Sequence, residues 1–115
     1  MTRPPAFRIE TQAHGGAVEL ALHGELDLAT APELEAELTR LRAMDGVERV
    51  VIDLRELDFL DSTGLESIVR FDREAAADGV TVAVVRGPRA VERLFAVMHL
   101  DRTLRIVDDP AELRR

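Results

Sequence analysis

Apolar and polar residues alternate over residues 7–11, with Phe7 and Ile9 separated by Arg8 and Glu10, the period of a half-buried strand. After His14-Gly15-Gly16 the alternation resumes, with Val18, Leu20 and Leu22 set against Glu19 and His23. Two such runs around a glycine-containing turn predict an antiparallel hairpin. The period then lengthens. Leu34, Leu38 and Leu41 recur at helical spacing, Thr30-Ala31-Pro32-Glu33 has the form of a capping box, and Gly46 marks the stop. Val50-Val51-Ile52 is a continuous β-branched run, which suits a strand covered on both faces. A second helix, from about Thr63 to Gly79, carries Leu65, Ile68, Val69 and Phe71. Residues 81–85 read as a strand, and Gly87-Pro88 opens a helix with Val91, Leu94, Phe95 and Met98 on one face. Residues 104–107 read as a short last strand, and Asp109-Pro110-Ala111-Glu112 as the cap of a brief terminal helix. Residues 2–6, with Pro4-Pro5, read as a frayed lead-in.

The predicted order is β-β-α-β-α-β-α-β-(α), an α/β fold. Strands joined through helices imply parallel neighbours with right-handed crossovers, and the first hairpin adds an antiparallel member to a mixed sheet. Residues 1–115 form a single domain with an ordered core from about 7 to 113, and no repeat or linker interrupts it.

Charge narrows the partners. The chain carries 22 acidic and 15 basic residues, a net charge of −7, and the arginines are scattered among acids. Nucleic-acid binding needs clustered cations, so it is disfavoured. Four phenylalanines with no Trp or Tyr offer no stacking platform for bases. No apolar run approaches the roughly 20 residues that cross a bilayer, and the first ten residues lack the apolar core of a signal peptide. With no cysteine, the chain is expected to be soluble and cytoplasmic.

Candidate chemistry is sparse. His14, His23 and His99 fall in a turn, a strand and a helix end, without metal-ligand spacing. There is no G-x-S-x-G elbow and no phosphate-binding glycine loop with a lysine. One polar cluster stands out, Asp61-Ser62-Thr63-Gly64, between the strand of residues 50–54 and the second helix. It admits two readings. In one, Ser62 or Thr63 simply caps the helix. In the other, Ser62 sits beyond the carboxyl end of a strand, where sites gather in open α/β sheets, and at a helix start that favours an anion. A phosphoryl group on Ser62 would then be tolerated by the fold and would act on binding. Asp53 is expected to fix a strand-end turn, Asp27 an Asx turn or a cap near the first helix, and Ser67 to be an ordinary helix residue.

The motifs resemble those of STAS domains, specifically the stand-alone bacterial anti-sigma factor antagonists. The resemblance is carried by L-x-G-E-L-D at residues 22–27 with Thr30-Ala31-Pro32, by V-V-I-D-L at 50–54, and by F-L-D-S-T-G-L at 59–65. It implies a STAS-like fold and no enzymatic activity of the chain itself. It implies that Ser62 is the phosphoacceptor, with Thr63 a minor alternative. The unphosphorylated chain would bind an anti-sigma factor of GHKL serine-kinase type and free the sigma factor; phosphorylation would break the complex and a metal-dependent serine phosphatase would restore it. Glu25, Leu26, Asp27 and Thr30 would form the docking surface with Asp61, Thr63, Gly64 and Leu65. The chain would need no cofactor, because nucleotide and magnesium sit in the kinase. His99 stands, before Leu100, where many members have glycine, which implies strain in a left-handed helix end. Two other readings stay open: a STAS interaction module of a transport or lipid-trafficking complex that is never phosphorylated, and a small hydrolase using Ser62.

Overall fold

A computed structural model describes residues 7–99 and 103–113, so the lead-in at residues 2–6 and Leu100 lie outside the described residues. The hairpin forms as the alternation requires. β1 (Arg8–His14) pairs antiparallel with β2 (Ala17–Leu26), whose Val18, Leu20 and Leu22 turn inward. Then come α1 (Ala31–Arg42), β3 (Arg49–Asp53), β4 (Leu57–Leu60), α2 (Ser62–Ala77), β5 (Thr81–Val85), α3 (Arg89–Val97) and β6 (Arg105–Val107). Pro110–Leu113 closes the described chain as a 3-10 turn. The sheet runs β1-β2-β3-β5-β6, and every pairing after the first is parallel.

β4 departs from the predicted order. Its burial runs in, out, out, in, so Leu57 and Leu60 anchor it without the period-two signature of a strand. It pairs parallel with the far end of β2, which at ten residues is long enough to hold β3 along its first half and β4 along its last three residues. The register shifts between Gly24 and Glu25, and Gly24 has φ 89°, a value that a side chain would strain. The second departure is the terminal element, a single 3-10 turn. Its expected cap chemistry is present: Asp109 accepts from the Ala111 N–H, and Glu112 accepts from the Asp108 and Asp109 N–H groups. Three α-helices result, not about four, among the described residues.

β3 and β5 are buried on both faces, as the continuous run at residues 50–52 implies. Val50, Ile52, Val82 and Val84 join the main core with Leu34, Leu65, Ile68 and Phe95 from the helices. On the other face Val51, Ala83 and Val85 pack with Leu113 of the terminal turn. Asp53 closes the β3 end as expected, its carboxylate accepting from the Arg55 N–H and pairing with the Arg55 guanidinium. His99 has φ 56°, the left-handed helix end expected to strain a non-glycine residue.

Candidate functional site

The β2–β4 junction brings together two stretches separated by more than thirty residues. Glu25 lies opposite Phe59 and Leu26 opposite Leu60, and the Asp61 N–H donates to the Leu26 carbonyl at 3.1 Å. The chain therefore enters α2 directly above the end of β2.

The helix start is one residue earlier than its Ser and Thr suggested. Asp61 is the N-cap, in extended conformation, and its Oδ1 accepts from the Gly64 N–H at 2.9 Å. Ser, Thr and Asp all serve as caps, so local pattern does not rank three of them in a row. Ser62 becomes the first helical residue. It is exposed, and its hydroxyl makes no hydrogen bond to any described residue. Nucleophilic hydrolysis needs a base within reach, and no base among the described residues is hydrogen-bonded to it. The N-terminal end of α2 nevertheless favours negative charge beside it.

Asp61 has a second task. Its Oδ2 accepts from the Leu28 N–H at 3.1 Å and so ties the loop after β2 to α2. That loop is further stitched by its own side chains. Asp27 Oδ1 accepts from the Ala29 and Thr30 N–H groups, an Asx turn. Thr30 Oγ1 accepts from the Asp27 N–H and donates to the Glu25 carbonyl. Thr30 was expected to cap α1 through its side chain; it occupies the N-cap position in helical conformation and makes no cap bond, because its hydroxyl is turned back into the loop.

The residues of the expected docking surface thus separate by depth. Leu26, Gly64 and Leu65 are buried beneath the junction. Asp27, Thr30 and Asp61 are half-buried and committed to backbone hydrogen bonds. Glu25 and Ser62 face solvent, with Thr63 half-exposed. Two residues that periodicity did not single out join them at this end of the sheet: Leu28, 72% exposed, and Phe59, 47% exposed. A leucine inside a short polar loop and a phenylalanine outside any alternation were the only sequence signals. Ser67 is more than a helix residue: it is buried and donates to Glu35 Oε1 at 2.9 Å, joining α2 to α1. Burial pushes the Asp72 carboxyl above its usual range, but Asp72 lies farther along α2 than Ser67 and takes no part in this end of the fold.

Depressions of about 560 Å³, bordered by Arg42, Met44 and Phe71, and about 750 Å³, bordered by Gln12, Arg49 and Leu113, lie away from Ser62. Among the described residues no group of three or more His, Asp or Glu side chains is placed to hold a metal, and no helix is long and apolar enough to cross a membrane.

The STAS domain family model matches residues 8–113. The chain belongs to the STAS family. Among STAS relatives, the anti-sigma-F factor antagonist RsfB of Mycobacterium tuberculosis is 33% identical over 106 residues, covering 92% of this chain and 85% of the relative. The crystal structure of an anti-sigma factor antagonist from Mycobacterium paratuberculosis superposes with a TM-score of 0.85 at 27% identity, covering 97% of this chain and 94% of that one. The Bacillus cell fate determinant SpoIIAA in its phosphorylated form has the same fold, with a TM-score of 0.71 at 20% identity over 96% of this chain and 98% of that one.

The Asp61 tie carries a prediction. Asp61→Ala removes a cap and orphans the Leu28 N–H, and is expected to lower the unfolding free energy by roughly 1–2 kcal/mol. Hydrogen exchange should rise at the Leu28 and Gly64 amides first. Unchanged exchange at Leu28 would show that Asp61 does not hold the loop.

Proposed function

We propose that this STAS chain is an anti-sigma factor antagonist of the partner-switching kind. The observation that carries the reading is Ser62: an exposed hydroxyl, free of hydrogen bonds to the described residues, at the first position of α2 and flanked by a loop pinned in place through Asp61. The similarity to RsfB over nearly the whole chain supports the same reading. In the unphosphorylated state the protein binds an anti-sigma factor that is also a GHKL-type serine kinase, and the sigma factor is released. The kinase transfers the γ-phosphoryl group of ATP to Ser62 Oγ; the hydroxyl proton leaves and ADP departs. The phosphorylated protein dissociates, and a serine phosphatase resets it by hydrolysis. Nucleotide and magnesium are held by the kinase. The chain is not itself an enzyme and works in the cytoplasm.

Glu25, Leu26, Asp27, Thr30, Asp61, Thr63, Gly64 and Leu65 build the docking surface in two layers, the buried ones by shaping it and the exposed ones by contact. The test is incubation with the anti-sigma kinase of the same genome and ATP, followed by intact-mass and fragment analysis. One phosphate, placed at Ser62 and absent from Ser62→Ala, is expected. Stable binding without phosphate would select an interaction module instead, and turnover of an ester would select a hydrolase.

A further inference from the structure

Four successive backbone N–H groups in the loop after β2 are each engaged by a side-chain oxygen. Asp27 N–H donates to Thr30 Oγ1, Leu28 N–H to Asp61 Oδ2, and Ala29 and Thr30 N–H to Asp27 Oδ1. One of these oxygens comes from a residue 33 positions away. In the middle of this stitched loop stands Leu28, the most exposed of the large hydrophobic side chains described. An exposed leucine is unremarkable in itself. Fixing the backbone beneath one costs conformational entropy and returns no core packing. That arrangement suits presentation: a side chain held ready loses less freedom on binding.

Charge supplies the character of the other side. Residues 24–36 and 56–69, the stretches joined at the β2–β4 junction, hold eight acidic residues and no basic one. The rest of the chain has 14 acidic against 15 basic residues, so the two stretches carry −8 and the remainder +1. Glu25, Glu33 and Glu66 are exposed there, and among the described residues Glu35 alone of the eight pairs with an arginine, Arg70.

We propose that Leu28 is the apolar anchor of the partner interface and that the partner receives it in an apolar pocket rimmed by Lys and Arg. The inference rests on the anti-sigma antagonist reading and adds the chemistry of the opposing face. It also divides the kinetics. Long-range attraction between the acidic end and a cationic partner sets the association rate, which falls with salt. The buried anchor sets the dissociation rate.

The test measures association and dissociation of the full chain with the purified anti-sigma kinase of the same genome, loaded with ADP and magnesium. Leu28→Ser is expected to bind about ten- to a hundredfold more weakly through faster dissociation, with the association rate and unfolding temperature of the wild type. Leu28→Met, which keeps the apolar volume, should bind nearly as the wild type does. Met44→Ser, at an exposed site just past the far end of α1, should change nothing. Raising the salt should slow association of all four proteins alike. Leu28→Ser within twofold of wild type, or Leu28→Met as weak as Leu28→Ser, overturns the anchor. Association indifferent to salt overturns the cationic rim. A wild-type chain that neither binds nor accepts phosphate overturns the function itself, a different result from either.

Discussion

Ser62→Asp is expected to weaken binding to the anti-sigma kinase more than about a hundredfold, while the protein unfolds at nearly the wild-type temperature. Each half of this has its own cause. For binding, a carboxylate at the first residue of α2 must be desolvated wherever the partner covers Ser62. A penalty of only ~3 kcal/mol exceeds a hundredfold in affinity, well within the cost of burying an imperfectly paired charge. For stability, two small terms oppose. An anion in the first helical turn gains about 0.3–1 kcal/mol. Repulsion from the neighbouring Asp61 carboxylate costs about 1 kcal/mol at 4 Å in water, the proper medium for so exposed a residue. The two nearly cancel, so the added charge falls on the interface and spares the fold.

A phosphate carries about −1.5 to −2 charge and should act more strongly in the same direction. It would be added to an end of the molecule that is already acidic. Against a cationic partner, extra negative charge does not slow the encounter. The Ser62→Asp defect should therefore appear in dissociation, and it should persist at high salt. Ser62→Ala, which loses only a hydroxyl without a hydrogen bond to the described residues, should bind as the wild type does and resist phosphorylation. Binding of Ser62→Asp at wild-type strength would remove charge from the mechanism, and a large drop in its unfolding temperature would place the effect in the fold.

How far this site could be read from the chain depends on the range of each interaction. The hairpin and the three α-helices were legible because each repeats its own apolar period, and the doubly buried β3 because its apolar run is continuous. β4 was not, because two leucines flanking Asp58 and Phe59 make no period, and its partner on β2 lies 33 to 34 positions away. The helix start was legible to within one residue: the cluster was seen, but Asp61, Ser62 and Thr63 are equivalent cap candidates until the backbone chooses. The Asp61–Leu28 and Ser67–Glu35 bonds were not legible at all, since local pattern is silent on contacts between distant segments. Ser62 was singled out by its motif; that its hydroxyl bonds to none of the described residues, and that the loop beside it is fixed, are facts of tertiary structure.

Gly64→Ala is expected to destabilise the protein by about 1–3 kcal/mol, against the usual sign for glycine to alanine in a helix. In an open helix the substitution gains up to about 1 kcal/mol. Here a Cβ would stand 2.6 Å from Leu26 Cγ and 3.0 Å from both the Leu26 carbonyl oxygen and Leu60 Cδ1. Leu26 is fully buried, and its carbonyl holds the Asp61 N–H, so the neighbour has no free direction to yield. The helix start must lift from β2 instead. That displacement strains the Asp61–Leu26 backbone bond and draws the Asp61 carboxylate from the Leu28 N–H, loosening the loop that presents Leu28. The unfolding temperature should fall on the order of 5–15 °C. Kinase affinity should fall as well, in the protein that remains folded, and exchange of the Leu28 amide should rise before that of Leu20 or Ile52 in the core. Wild-type stability in Gly64→Ala would mean that α2 and β2 are not held at this distance. Lost stability with an unchanged Leu28 amide would mean that the close approach serves the fold alone.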